Sequence, residues 1–259
     1  MGRWTCAAFL LASALVASPS AQSSGGRYHE SIAGTLVSFE MIRVPAGSGV
    51  AGFFISRTEV TWDLFDVYML RLDTPKAPAD ADAIARPSEP YGAPDYGWGH
   101  AGYPAMSVTA ASAASFCRWL SAKTGRTYRL PTDAEWSHAA GLAVWREGGA
   151  IVSIDALAWH QGNAGGQVHP VGKRAADMLG LADLFGNVAE WVSTGPETFT
   201  TRGGSYRDPV STLGPGTRAN QDPTWNQRDP QLPKSRWWLS DGPFVGFRVL
   251  SPVSNPSER

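Results

Sequence analysis

Leu36 to Val44 alternates apolar and polar side chains in the manner of a strand, and Pro45-Ala46-Gly47 punctuates its end. Phe53-Phe54-Ile55 predicts a second, shorter strand. From Trp62 to about Arg71 the period becomes helical. Leu64, Phe65 and Tyr68 fall on one face, Thr61 stands at the N-cap, and Asp63 sits in the first turn, where the helix dipole favours a carboxylate. A second helix follows Thr109, because Ala113, Phe116, Cys117 and Leu120 recur at i, i+3, i+4 and i+7 before Gly125 offers a stop. Thr132-Asp133-Ala134-Glu135 has capping-box spacing and opens a short third helix through Trp136 and Ala139. Beyond it the pattern breaks into short strands and glycine turns, ending in Gly246-Phe247-Arg248-Val249-Leu250 as a closing strand. Helices early, short strands late and no internal repeat predict one loop-rich α+β domain.

Composition narrows this picture. The chain has 259 residues, a net charge of -1 and only 17% charged residues, with 28 glycines, 19 prolines and 11 tryptophans. Such a balance, without a long basic run, argues against nucleic acid as a partner. It also favours aromatic packing over long amphipathic helices. Arg3 followed by an apolar run from Ala7 to Val16, and then small residues, reads as a secretory signal over 1–21. A Ser/Gly-rich linker follows over 22–35. The expected location is therefore periplasmic or extracellular, with no membrane span in the mature chain. Cys117 is then the single mature cysteine, so no intramolecular disulfide forms, and its apolar helical setting predicts an inert buried thiol. The proline- and glycine-rich stretch 74–104 carries Tyr91, Tyr96, Trp98 and Tyr103. That many rings mark a loop that either covers the core or lines a site.

Six separated blocks then stand out: Arg57-Thr58-Glu59-Val60-Thr61, Phe116-Cys117-Arg118-Trp119-Leu120, Arg129 to Trp136, Gly180 to Trp191, Arg202-Gly203-Gly204-Ser205-Tyr206, and Gly246-Phe247-Arg248. In order and spacing they resemble the sulfatase-modifying-factor family of formylglycine-generating-enzyme-like proteins, over about residues 36–251, leaving 252–259 as a tail. The resemblance implies a C-type-lectin-like variant fold with little regular structure. It also implies a copper-binding cysteine pair after the Gly-Gly-Ser-aromatic stretch, yet the matching positions here are Asp208 and Leu213. Copper(I) wants soft thiolates, which neither residue supplies. No copper is expected, nor cysteine oxidation by the family mechanism.

The best metal candidate is Asp183-x-x-Gly186-x-Val188-x-Glu190. Two carboxylates and two backbone carbonyls on a tight loop offer hard oxygens, which suit Ca2+ and suit copper or zinc poorly. The resemblance implies structural calcium at the same four positions. The plain alternative is a hydrogen-bonded loop in which Glu190 satisfies backbone amides. Ser205, Tyr206 and Asp208 form a polar remnant where the cysteines are missing, either an acid/base group or simply a surface carboxylate. Glu135-x-x-His138 has the spacing of carboxylate-bridged metal centres, but only one copy exists and the capping box claims Glu135. Arg248 is expected as a structural ion-pair partner. Trp225, Arg236, Trp237 and Trp238, with Tyr91 and Trp98 from the long loop, are the candidate ligand-lining residues; of Trp237 and Trp238, one is expected buried and one lining. The leading expectation is an exported domain that binds a peptide, protein or glycan through its former active-site face, as lectin-like members of the family do. The rival is an exported enzyme of copper-independent mechanism acting on a peptide or siderophore precursor.

Overall fold

Tyr28 and Glu30 are buried while their neighbours are exposed, and that alternation makes Arg27–Ser31 a strand, β1, where a linker was expected. Tyr28 and Glu30 reach Tyr128, whose hydroxyl donates to Glu30 Oε2 at 2.7 Å, so the segment is anchored by partners a hundred residues away. The computed structural model describes residues 26–73, 78–90, 92–144 and 153–253. The predicted signal segment 1–21 and Tyr91 lie outside them, as does the tail beyond Val253.

β1 pairs antiparallel with β2 (Ser38–Val44), β2 with β3 (Phe53–Ser56), and β3 with β8 (Leu250–Pro252), giving a four-stranded sheet in the order β1-β2-β3-β8. The second sheet runs β6-β5-β4-β7, from Arg218–Ala219, Thr198–Arg202, Ala189–Gly195 and Val245–Gly246. Its β4–β7 pairing is parallel. The expected single closing strand is thus split: β7 belongs to one sheet and β8 to the other. Phe247, Arg248 and Val249 cross between them, fully buried.

Helix α1 (Trp62–Met69) and helix α3 (Ala110–Thr124) pack their apolar faces into one cluster, where Phe116 meets Phe65, Tyr68, Trp119 and Phe247 within 6 Å. A short turn, α2 (Ala79–Asp82), leans on α3. Thr109 Oγ1 accepts the Ser112 N–H, and Gly125 closes α3 at φ 72°. Cys117 is buried there, and burial pushes its thiol up to about 12. Thr61 occupies the N-cap of α1 without capping it through its side chain. Asp63 stands in the first turn as expected and also accepts the Gly102 N–H at 2.6 Å, which tethers the long loop.

Helix α4 (Asp133–Val144) is longer than predicted and carries the capping box intact: Thr132 N donates to Glu135 Oε2, and Glu135 N to Thr132 Oγ1. Glu135 also binds Arg129 through both oxygens, while His138 turns to the Pro45 carbonyl. The two members of the Glu-x-x-His pair thus face different partners. α4 packs with Ile42, Phe53, Ile55, Phe185 and Leu250 in a second core cluster, and the short α5 (Ile154–Leu157) follows it. No helix of the described residues is long and apolar enough to cross a membrane.

Candidate binding cleft

Gly203 and Gly204 end β5 in the left-handed region, at φ 84° and 69°. A Cβ on Gly203 would meet the Leu184 carbonyl at 2.6 Å, and one on Gly204 would meet Leu213 Cδ2 at 2.4 Å and Asp208 Oδ2 at 3.3 Å. The two positions where the resemblance places cysteines thus converge on one glycine. Leu213 is buried in the core cluster beneath the wall. Asp208 turns back on its own loop: its Oδ2 accepts the Ser205 N–H at 2.7 Å and the Ser205 hydroxyl at 3.0 Å. Ser205 is buried, and its proton is given to a carboxylate that also holds the turn, an arrangement of a structural Ser–Asp turn.

Above this loop opens a cleft of about 1300 Å3, whose floor is the β4–β5–β6 sheet at Ala189, Thr201 and Ala219. One wall is aromatic and comes from the long loop. Tyr96 stacks on Trp98 at 5.2 Å, and Trp98 meets the edge of Tyr206 at 5.7 Å. Burial pushes the Tyr206 and Tyr96 phenols above their ordinary value. The opposite wall is Trp225 against Phe244 at 5.1 Å, with the Arg207 guanidinium 4.4 Å over the Phe244 ring. Arg228 is paired with Asp241, and Arg218 with Asp133 at 3.2 Å, so among the described residues Arg207 is the cleft cation without a carboxylate.

Of the predicted lining residues, Trp98, Trp225, Ser205, Tyr206 and Asp208 meet in this cleft. Arg236 and Trp237 do not: Arg236 stacks on Trp237 at 4.6 Å and both stand outside it. Trp238 is buried, donates from Nε1 to the Ser88 carbonyl, and lines a separate chamber of about 330 Å3. Sequence reasoning placed Tyr96 only within the ring-rich 74–104 loop and did not single out Phe244, Arg207 or the Arg228–Asp241 pair. Tyr96 carried a signal, since Asp95-Tyr96-Gly97 is a turn sequence that holds a ring at its apex.

The Asp183–Glu190 loop lies behind the cleft. Asp183 adopts φ 54° and is buried; its Oδ2 accepts the Gly172 N–H at 2.5 Å, while its Oδ1 has no partner among the described residues. Burial raises its carboxyl to about 6, against the pull of the Gly172 N–H and Arg248. Glu190 is held by side chains rather than by backbone amides. Arg248 Nη2 and Nε hold its two oxygens at 2.5 and 2.7 Å, and Trp136 Nε1 adds a bond at 2.8 Å. Burial still lifts the Glu190 carboxyl, with Arg248 opposing. Glu59 completes the group, accepting only long bonds, 3.3 Å from Val188 N and 3.4 Å from Asn187 Nδ2. Burial and then the charges of Asp183 and Glu190 push it well above the usual carboxylate range. Three buried carboxylates face one buried guanidinium, a surplus of hard oxygen that fits a divalent cation in donor type. Among the described residues, however, no three His, Cys, Asp or Glu side chains form a metal cluster by themselves.

Residues 25–230 match the profile of the family described as the sulfatase-modifying factor enzyme 1-like domain. A formylglycine-generating enzyme of Mycobacterium tuberculosis is 34% identical over 108 residues, 36% of this chain and 34% of that protein. A protein named chaperone protein LppX of Paenibacillus barcinonensis is 34% identical over 84 residues, 25% of this chain and 30% of that one. The matches thus span about a third of each curated relative. Among solved structures, Treponema denticola variable protein 1 superposes with TM-score 0.62 at 20% identity, covering 88% of this chain and 99% of that one. PvdO of Pseudomonas aeruginosa gives 0.58 at 25% identity, covering 83% and 94%.

Proposed function

We propose, from the premise that this chain belongs to the sulfatase-modifying factor enzyme 1-like domain family, that it is an exported domain that makes no formylglycine and holds a peptide, protein or glycan segment in its aromatic cleft. One observation carries the reading: Asp208, at a position where copper-binding chemistry needs a thiolate, spends its carboxylate on Ser205, in a cleft otherwise walled by rings. A volume near 1300 Å3 exceeds the ~300–1,000 Å3 usual for small-molecule pockets, which favours a polymer segment. Flat rings and guanidinium groups give such a segment apolar faces and charged anchors. Export is supported by the Arg3 and Ala7–Val16 leader pattern. Cell fractionation tests it, and retention of the chain in the cytoplasm would contradict it.

Calcium at Asp183, Gly186, Val188 and Glu190 is part of the same proposal. The Asp183 Oδ1, without a partner among the described residues, and the carboxylate surplus support it. When bound, the ion would neutralise that surplus and hold the loop behind the cleft; Glu190 would have to share oxygens with Arg248.

The rival reading, a copper-independent enzyme, has one feature in its favour, the 3.0 Å Ser205–Asp208 contact. Asp208→Asn separates the two. It leaves a binder nearly intact and cripples an enzyme that uses the carboxylate as acid or base. A large loss of turnover with ligand capture unchanged would favour the enzyme.

A further inference from the structure

His100 sits at the foot of the aromatic wall with a carboxylate at each ring nitrogen. Its Nε2 lies 2.7 Å from Asp66 Oδ2 on α1, and its Nδ1 lies 3.0 Å from Asp95 Oδ2 on the long loop. The ring stacks on Trp62 at 5.2 Å. A neutral imidazole has one N–H and one lone pair, whereas an ionised carboxylate only accepts. Both contacts are hydrogen bonds together only when the imidazole carries two protons. Asp95 in turn starts the turn that presents the wall: its Oδ1 accepts the Gly97 N–H at 3.0 Å, Tyr96 takes φ 54°, and Trp98 follows. The far end is fixed by the Tyr96 hydroxyl, which donates to the Ser240 carbonyl at 2.5 Å.

We propose that protonated His100 is the positioning residue of the Tyr96–Trp98 wall, clamping its turn to α1, so that the wall loosens and the cleft lets go of its ligand when the imidazole loses a proton. The part concerning ligand rests on the binding role assigned above to the cleft; the ordering of the wall does not. The charges facing His100 are Asp66 and, one turn earlier on the same helix, Asp63, which is engaged by Gly102; from the loop comes Asp95, and the ring packed beneath is the uncharged Trp62. Burial works against the charged imidazole, and the two carboxylates outweigh it, so His100 is raised above its ordinary value. Asp95 is lowered: burial opposes this, and the Gly97 N–H and His100 prevail. A histidine raised on folding holds its stabilising contacts below its unfolded value and loses them as pH rises through the folded one.

The test has two arms on the full chain. In the first, the His100 ring nitrogens and the Trp98 indole are followed by NMR from about pH 5.5 to about pH 8.5, spanning the histidine range. The expected result is a doubly protonated ring at the acid end and a Trp98 signal that broadens or shifts with the same midpoint. In His100→Gln the broadened state should persist throughout. In Asp95→Asn the side-chain amide can donate to a neutral imidazole, so the wall should stay ordered at high pH, a rescue that a merely space-filling histidine would not show. A neutral His100 at the acid end, or a Trp98 signal indifferent to its titration, would overturn the proposal. In the second arm, a random-peptide phage pool is captured on immobilised protein at the acid end and washed at the basic end. Recovery from the wild type should fall by at least about fivefold, within the usual span of linked sites, and less from Asp95→Asn. Equal recovery at both ends overturns the ligand link alone. Capture of no peptide counts against a peptide ligand for the cleft, and the NMR arm then decides the clamp.

Discussion

Arg248 grips Glu190 with two prongs, Nη2 to Oε1 at 2.5 Å and Nε to Oε2 at 2.7 Å, where neither side chain meets solvent. The same guanidinium donates to the carbonyls of Ser56, Ala182 and Asp183. One side chain thus ties the end of β3, the Asp183 loop and β4 to the crossing between the two sheets. A planar five-donor group can satisfy that geometry, and an ammonium cannot.

Removing one partner of a buried pair leaves an uncompensated charge, which costs about 3–5 kcal/mol. Arg248→Met should therefore lower the unfolding free energy by about that amount or prevent folding. Arg248→Lys should recover little of the loss. Near-wild-type stability of Arg248→Met in urea unfolding would show that the pair is dispensable.

Glu135 gives a loss confined to acid. Burial would raise its carboxyl, but Arg129 and the Thr132 N–H hold it below the usual value. A lowered carboxylate contributes stability above its unfolded pKa, and the contribution vanishes as pH falls through the folded value. Glu135→Gln should cost about 1 kcal/mol at neutral pH, moderated by partial exposure, and progressively less as the pH falls below the ordinary carboxylate range. Thermal melts over a series of acid pH values measure it, and a cost that does not fall with pH would contradict the assignment.

These local devices were legible in the sequence because their partners are three or four residues apart. The capping box of Thr132 and Glu135, the Thr109 cap and the Gly125 stop all form as the pattern predicts. What the sequence hid depends on distant partners. Arg27–Ser31 reads as linker because its strand character shows only against β2 and Tyr128. The Arg236–Trp237 stack resembles a lining pair in composition, yet nothing local says which way its surface faces. Arg248 is readable as an ion-pair partner, but its partner Glu190 lies 58 residues away, and no local pattern names it.

Calcium is checked by removal. If the Asp183 loop holds the ion, chelation should lower the melting temperature and added calcium should restore it, because a ligand bound only to the folded state stabilises that state. Asp183→Asn should weaken the response. An unchanged melt on chelation and replenishment would count against the site.

The cleft walls make a separate claim. Trp98→Ala and Trp225→Ala should each weaken capture of a peptide or glycan ligand by about 2 kcal/mol, the scale of a buried aromatic anchor, whereas Trp237→Ala outside the cleft should leave it unchanged. Titration calorimetry on a ligand selected from a peptide pool or glycan array reads the difference. A larger effect at Trp237 would move the binding face away from the cleft.

The most direct measurement is an assay of the purified chain with a Cys-x-Pro-x-Arg peptide, with and without copper, read by mass spectrometry. With Asp208 and Leu213 at the positions where the family's thiolates are expected, the peptide cysteine should survive in both samples. Conversion of that cysteine to the aldehyde, together with copper retained by the protein, would contradict a cleft that only binds.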